Sequence, residues 1–153
     1  MTYHIDIQHA CEDISPVTDE ILSQWASLPL QSRLDSAELT LRIVNPDEIT
    51  QLNHIYRKKN QPTNVLAFPA EYPDDVVLDY PLLGDVIICP AVLAKESIDQ
   101  QKPLIAHWAH IIIHGVLHLQ GYDHIEENDA MIMQAIETKL LLQLGFNNPY
   151  EVN

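Results

Sequence analysis

Cysteine is scarce. Cys11 and Cys89 are the two in 153 residues, far apart and in no CxxC arrangement. That excludes a disulfide framework and fits reduced thiols in a cytosolic protein. Basic side chains are scarce too, 8 Lys plus Arg against 22 Asp plus Glu, for a formal net charge of −14. A field of that sign repels polyanions and argues against loose, non-specific nucleic-acid binding. No apolar run is long enough to span a bilayer, and the first residues lack the basic and apolar regions of a signal peptide, so the expectation is a cytoplasmic protein with no membrane partner. No internal repeat, low-complexity tract or Gly/Ser-rich linker divides the chain. The length suits a single domain over residues 1–153 that buries its own core, so a bound metal is expected to be functional rather than structural.

What is present is a sequence of readable elements. Residues 3–9 alternate as a strand, and Ser15-Pro16 predicts the start of a helix running to about residue 28. A second strand covers 38–44. Asn45-Pro46-Asp47-Glu48 reads as a capping box opening a helix that ends near Arg57. Residues 65–68 read as a short buried strand stopped by Pro69, and 84–89 as a fourth strand. Pro90 begins a helix, and Pro103 separates it from the next. Residues 104–119 are apolar nearly all round apart from histidines, which marks a core helix. Gly121 ends it, and a last helix runs from about 126 to 144. The fold class expected is α+β: a small mixed four-stranded sheet packed with about five helices, with a metal site on the buried helix of the C-terminal half and the turn after it.

Chemistry concentrates in the segment HGVLHLQGYDH. His114 and His118 stand four apart, so on a helix their Cβ atoms share one face, roughly 5–6 Å from each other. His124 lies beyond the break at Gly121, where glycine permits the chain to fold back. Three imidazoles suit zinc better than magnesium or calcium, although nickel or copper can bind the same donors in vitro, and three protein ligands leave a coordination position open for hydrolytic chemistry. This ligand spacing is shared with a class of zinc proteases that place a glutamate general base directly after the first histidine. Here that residue is Gly115, which disfavours peptide hydrolysis by that route. Three neutral ligands leave the ion its full charge, so the site should attract an anion, and a phosphodiester fits. Of the eight basic residues, Arg57, Lys58 and Lys59 are consecutive. The planar fork of Arg57 matches phosphate oxygens, against the plainer alternative of a surface arginine solvating a helix end.

Two segments, LNHIYRKKNQPTNVLAFP (52–69) and HWAHIIIHGVLHLQGYDH (107–124), resemble the YbeY endoribonucleases, bacterial rRNA maturation factors with a single zinc site. The likeness spans nearly the whole chain. The resemblance implies His114, His118 and His124 as ligands of one Zn2+ per chain and Arg57 as a functional arginine. It further implies maturation of rRNA, especially the 3′ end of the small-subunit rRNA, ribosome quality control, and ribosomal or assembly proteins as partners. The departure at Ala67, where serine is frequent, lies outside the ligands. The expected function is thus a zinc-dependent endoribonuclease of single-stranded RNA, with a metal-activated water attacking the phosphodiester, Arg57 as the catalytic cation, Lys58 and Lys59 binding substrate, and no organic cofactor. Two alternatives stay open: a metallo-amidohydrolase or peptidase using Asp123 or a substrate group as base, and a non-enzymatic ribosome-assembly factor whose zinc is structural. His107 and His110 read as core histidines or supports of the ligands. Asp123 reads as a partner of His124 or a helix cap, and Tyr122 as a packed turn residue.

Overall fold

The alternation of Ala37, Leu39, Leu41 and Ile43, all fully buried, makes their strand the centre of the sheet. The protein is described by a computed structural model covering residues 1–78, 80–123 and 126–151. Among these residues the chain runs β1 (Thr2–His9), α1 (Asp19–Ser27), β2 (Ser36–Ile43), α2 (Pro46–Arg57), β3 (Val65–Pro69), β4 (Leu82–Ile88), α3 (Pro90–Asp99), α4 (Leu104–Leu119) and α5 (Glu127–Gln143). The four strands form one mixed sheet in the order β1-β2-β4-β3. β1 pairs with β2 and β2 with β4 in parallel, while β3 runs antiparallel to β4 at the sheet edge. The architecture is the expected α+β.

Each strand's alternation assigns its side chains to one of two packed layers. Ile5, Ile7, Leu39, Leu41, Ile43, Val65, Ala67, Val86 and Ile88 join α1, α4 and α5 in the main core. The other face carries a smaller cluster, in which Leu66, Phe68 and Ile87 meet Ile49 and Leu52 of α2. β3 therefore lies between α4 on one side and α2 on the other, and among the described residues no strand pairs with its outer edge.

The helix after β1 starts later than Ser15-Pro16 predicts. The Ser15 hydroxyl is engaged with Val17 in a local turn, accepting from its N–H at 3.2 Å and donating to its carbonyl at 2.8 Å. Thr18 is the N-cap instead, its Oγ1 accepting from the Ile21 N–H at 3.3 Å. Asn45 does cap α2, receiving the Glu48 N–H at 2.9 Å. Glu48 does not return the favour as a capping box requires, because the Arg42 guanidinium holds its carboxylate at 2.7 and 3.1 Å. β4 begins at Leu82, two residues before the expected Gly84, since Leu82 pairs with Glu38 across a register shift.

α2 ends in a left-handed residue that is not glycine: Lys58 has φ 60° and ψ 30°. Its N–H reaches the His54 carbonyl at 3.0 Å and that of Lys59 reaches Asn53 at 3.4 Å, closing the helix. The buried Asn53 amide donates to the Gln61 carbonyl at 2.9 Å and ties down the turn that follows.

Candidate functional site

α4 is the buried helix the sequence predicts, and one glycine brings it down onto the sheet. A Cβ at Gly115 would lie 2.7 Å from Cγ1 of Val86 and 3.3 Å from Cγ2 of Val65. A residue with any side chain is excluded there unless the helix lifts, so the general-base glutamate of the zinc proteases has no room. The close approach leaves His114 and His118, one residue before and three after the glycine, beside β3.

There the two imidazoles converge, with the Nε2 atoms of His114 and His118 3.1 Å apart. Two nitrogens on one tetrahedral zinc, each ~2.0–2.1 Å from it, are about 3.3 Å apart. The pair thus has the spacing of two ligands of one ion. The tautomer also fits: Nδ1 of His114 lies 3.3 Å from Oε2 of Glu137, a carboxylate that can only accept, so Nδ1 carries the proton and Nε2 keeps its lone pair.

Glu137 is not legible as a site residue from the sequence. It sits on α5 between Met133 and Leu141 on that helix's buried stripe and is 1% exposed. Its carboxylate also meets Nε2 of His110 at 2.6 Å and accepts from the Tyr150 hydroxyl at 2.9 and 3.0 Å. Burial pushes its pKa up, but the hydrogen bonds from His110 and His114 outweigh that and hold it at about 2. The same burial and the neighbouring Glu137 charge raise the Tyr150 phenol, which stays protonated as a donor. A charged residue on the apolar stripe of a helix was the available signal.

His110, His114 and Glu137 are also close enough to hold an ion among themselves, their ligand atoms all lying within 4.8 Å of one another. In that group, however, Glu137 and His110 already satisfy each other at 2.6 Å in the core, whereas the His114 side chain is 22% exposed and borders the cleft. Glu137 is placed to orient the His114 ring through Nδ1. His124 lies outside the described residues, and Tyr122 and Asp123 precede it on the turn that Gly121 begins with φ 95°.

The cleft along β3 has a volume of about 520 Å³. It is lined by His114, Gly115 and His118 of α4, by residues 63–68, and by Tyr56 and Arg57 from the last turn of α2. The structure thus brings together the expected arginine and two of the three expected ligands, from opposite faces of the edge strand. Lys58 and Lys59 are exposed on the adjoining turn and do not line the cleft. His107 is buried at the far end of α4, its Nε2 3.0 Å from Glu96, whose carboxylate also accepts from the Asn64 amide at 3.2 Å. Desolvation lowers the His107 pKa in spite of Glu96, so it is a neutral structural histidine. His110 is buried against Glu137, at 2.6 Å.

Comparison with known proteins agrees in one direction. The family model described as Endoribonuclease YbeY matches residues 4–145. Proteins named Endoribonuclease YbeY from Legionella pneumophila strains Corby and Lens are 57% identical over 152 residues, 99% of this chain and 96% of theirs. The solution structure of a Thermotoga maritima protein superposes with a TM-score of 0.63 over 95% of this chain and 99% of that one, at 23% identity, and shares its fold.

Proposed function

The chain belongs to the YbeY family of endoribonucleases, and from that premise we propose that it hydrolyses single-stranded RNA in the cleft along β3, with one zinc ion held by His114, His118 and His124. The observation that carries the reading is the approach of the two Nε2 atoms to 3.1 Å, in a cleft that Arg57 also lines. His124 completes the set by its place six residues after His118, beyond a glycine with positive φ. Zinc, when bound, supplies a Lewis acid that makes water a better nucleophile near neutral pH and offsets charge on the phosphate.

The protein's own residues do the rest. Glu137 fixes the tautomer and ring plane of His114, leaving Nε2 for the ion. The Arg57 guanidinium faces the charge that builds on the phosphoryl oxygens during cleavage. Lys58 and Lys59, just outside, hold the adjoining backbone, so the positive field is local in a molecule of net charge −14. Gly115 argues against the zinc-protease route with a glutamate base after the first histidine, because the packing of α4 on Val86 excludes that side chain; the alternative with Asp123 or a substrate group as base is separated by assaying peptide and amide substrates. The substrate in the cell is rRNA, above all the 3′ end of the small-subunit RNA, met on ribosomes or with their assembly proteins in the cytoplasm. Among the described residues, no helix is long and apolar enough to cross a membrane.

Arg57→Ala tests the reaction. Cleavage of a single-stranded RNA carrying the small-subunit 3′ sequence should fall roughly 100- to 1,000-fold, the usual effect of removing one donor to a developing oxyanion. Bound zinc and melting temperature should not change. Undiminished cleavage by this variant would take Arg57 out of the mechanism.

A further inference from the structure

Beside Arg57 stands an aromatic ridge that the reaction itself does not use. Tyr56 is 64% exposed, and its ring lies 4.8 Å from that of Phe68 at an angle of 52°. Phe68 is half-buried and packs against the α2-facing cluster of the sheet, so it anchors the pair. Both rings border the cleft along β3, and both also border a second cleft of about 590 Å³ on the other side. The ridge therefore separates the two.

The two sides differ in charge. Among the described residues, the near cleft is lined by Arg57 and by no carboxylate, and Lys58 and Lys59 follow Arg57 on the exposed turn after α2. On the far side are Glu48, Glu71, Asp85 and Arg42, and the Arg42 guanidinium is already occupied by Glu48 at 2.7 and 3.1 Å and by Gln8 at 2.9 Å. A phosphate is welcome on the near side and repelled on the far side. The part of a nucleotide that can cross the ridge is the uncharged base, and an exposed tyrosine is a surface on which any base stacks without sequence preference.

We propose that Tyr56, backed by Phe68, is the stacking platform for one nucleobase of the RNA, next to the phosphate held at Arg57. This rests on the RNA-cleaving reading above and adds to it a substrate contact. It accounts for a preference for single strands, because a base held in a duplex stack cannot turn onto the tyrosine.

The test uses the full-length, zinc-loaded protein and a fluorescent single-stranded RNA oligonucleotide, in single-turnover cleavage that separates half-saturating concentration from maximal rate. Tyr56→Ala should raise the half-saturating concentration roughly 5- to 100-fold, the range expected for one stacked base. Tyr56→Phe should leave it near the wild-type value, and both variants should melt with the wild type. Oligonucleotides with a single abasic residue, scanned past the cleaved bond, should include one that binds the wild type as weakly as Tyr56→Ala binds the intact RNA, and whose binding Tyr56→Ala weakens no further. An unchanged half-saturating concentration in a folded Tyr56→Ala protein would overturn the platform. So would losses that simply add at every abasic position. If the wild type cleaves nothing, the hydrolytic reading fails by itself, and fluorescence anisotropy with the same oligonucleotides and variants still decides the role of Tyr56.

Discussion

Placing an alanine at position 115 adds a single methyl group to the tightest contact between α4 and the sheet. Its carbon would sit 2.7 Å from Cγ1 of Val86, against an ordinary carbon–carbon contact of about 3.5–4.0 Å. Val86 is fully buried and β-branched, so it cannot swing aside cheaply. Overpacking of this kind costs about 1–3 kcal/mol, and the stiffness of the neighbour puts Gly115→Ala in the upper half of that range. Replacing a helix-interior glycine by alanine returns about 1 kcal/mol. The net expectation is a loss of about 1–2 kcal/mol, or roughly 2–8 °C in melting temperature for a chain of this size. Thermal or urea unfolding of the metal-free protein measures it. Shortening the opposing residue should relieve the strain, so Gly115→Ala with Val86→Ala should lose less than the two single variants together. Strict additivity, or a Gly115→Ala protein more stable than wild type, would refute the close approach and with it the reason a glutamate is absent.

Three further expectations follow from the same geometry. Glu137→Gln keeps the shape but weakens the acceptor behind His114, so zinc affinity in a chelator competition should drop about 10- to 100-fold, and unchanged affinity would leave Glu137 a purely structural group. His107 has its pKa lowered by burial, so below about pH 6.5 the unfolded chain takes up a proton that the native state refuses, and stability falls as the pH falls through that range. Urea midpoints of metal-free wild type should decline between pH 7.5 and 5.5 more steeply than those of His107→Asn, and parallel profiles would contradict this. Lys58→Gly removes a left-handed non-glycine residue and should stabilise the fold by about 1 kcal/mol while weakening RNA binding, and a loss of stability would show that the φ of 60° carries no strain.

Much of this was legible in the sequence wherever local rules govern. Pro90, Pro103 and the apolar run of 104–119 place α3 and α4, because proline and periodicity act within a turn or two. Ser15 misled because Ser15 and Thr18 are both good caps, and the choice between them depends on a hydrogen bond to Val17 that spacing does not encode. The histidine pair was legible from its i, i+4 interval, and the family resemblance named Arg57. That the two share a cleft was not legible, since it depends on β3 taking the sheet edge between α2 and α4. Glu137 stayed hidden for a similar reason: its histidine partners are 23 and 27 residues away. The sequence shows Gly115 only as a missing base, and the packing against Val86 supplies the reason it is a glycine.

The most direct test of the account is metal content by mass spectrometry on protein purified without a histidine tag, for wild type and for His114→Ala, His118→Ala and His124→Ala, with RNA cleavage assayed on the same samples. About one zinc per wild-type chain is expected, with metal and cleavage lost together in each variant while the fold persists. Full zinc retention in the His118→Ala variant, or zinc lost from all three with cleavage intact, would contradict it.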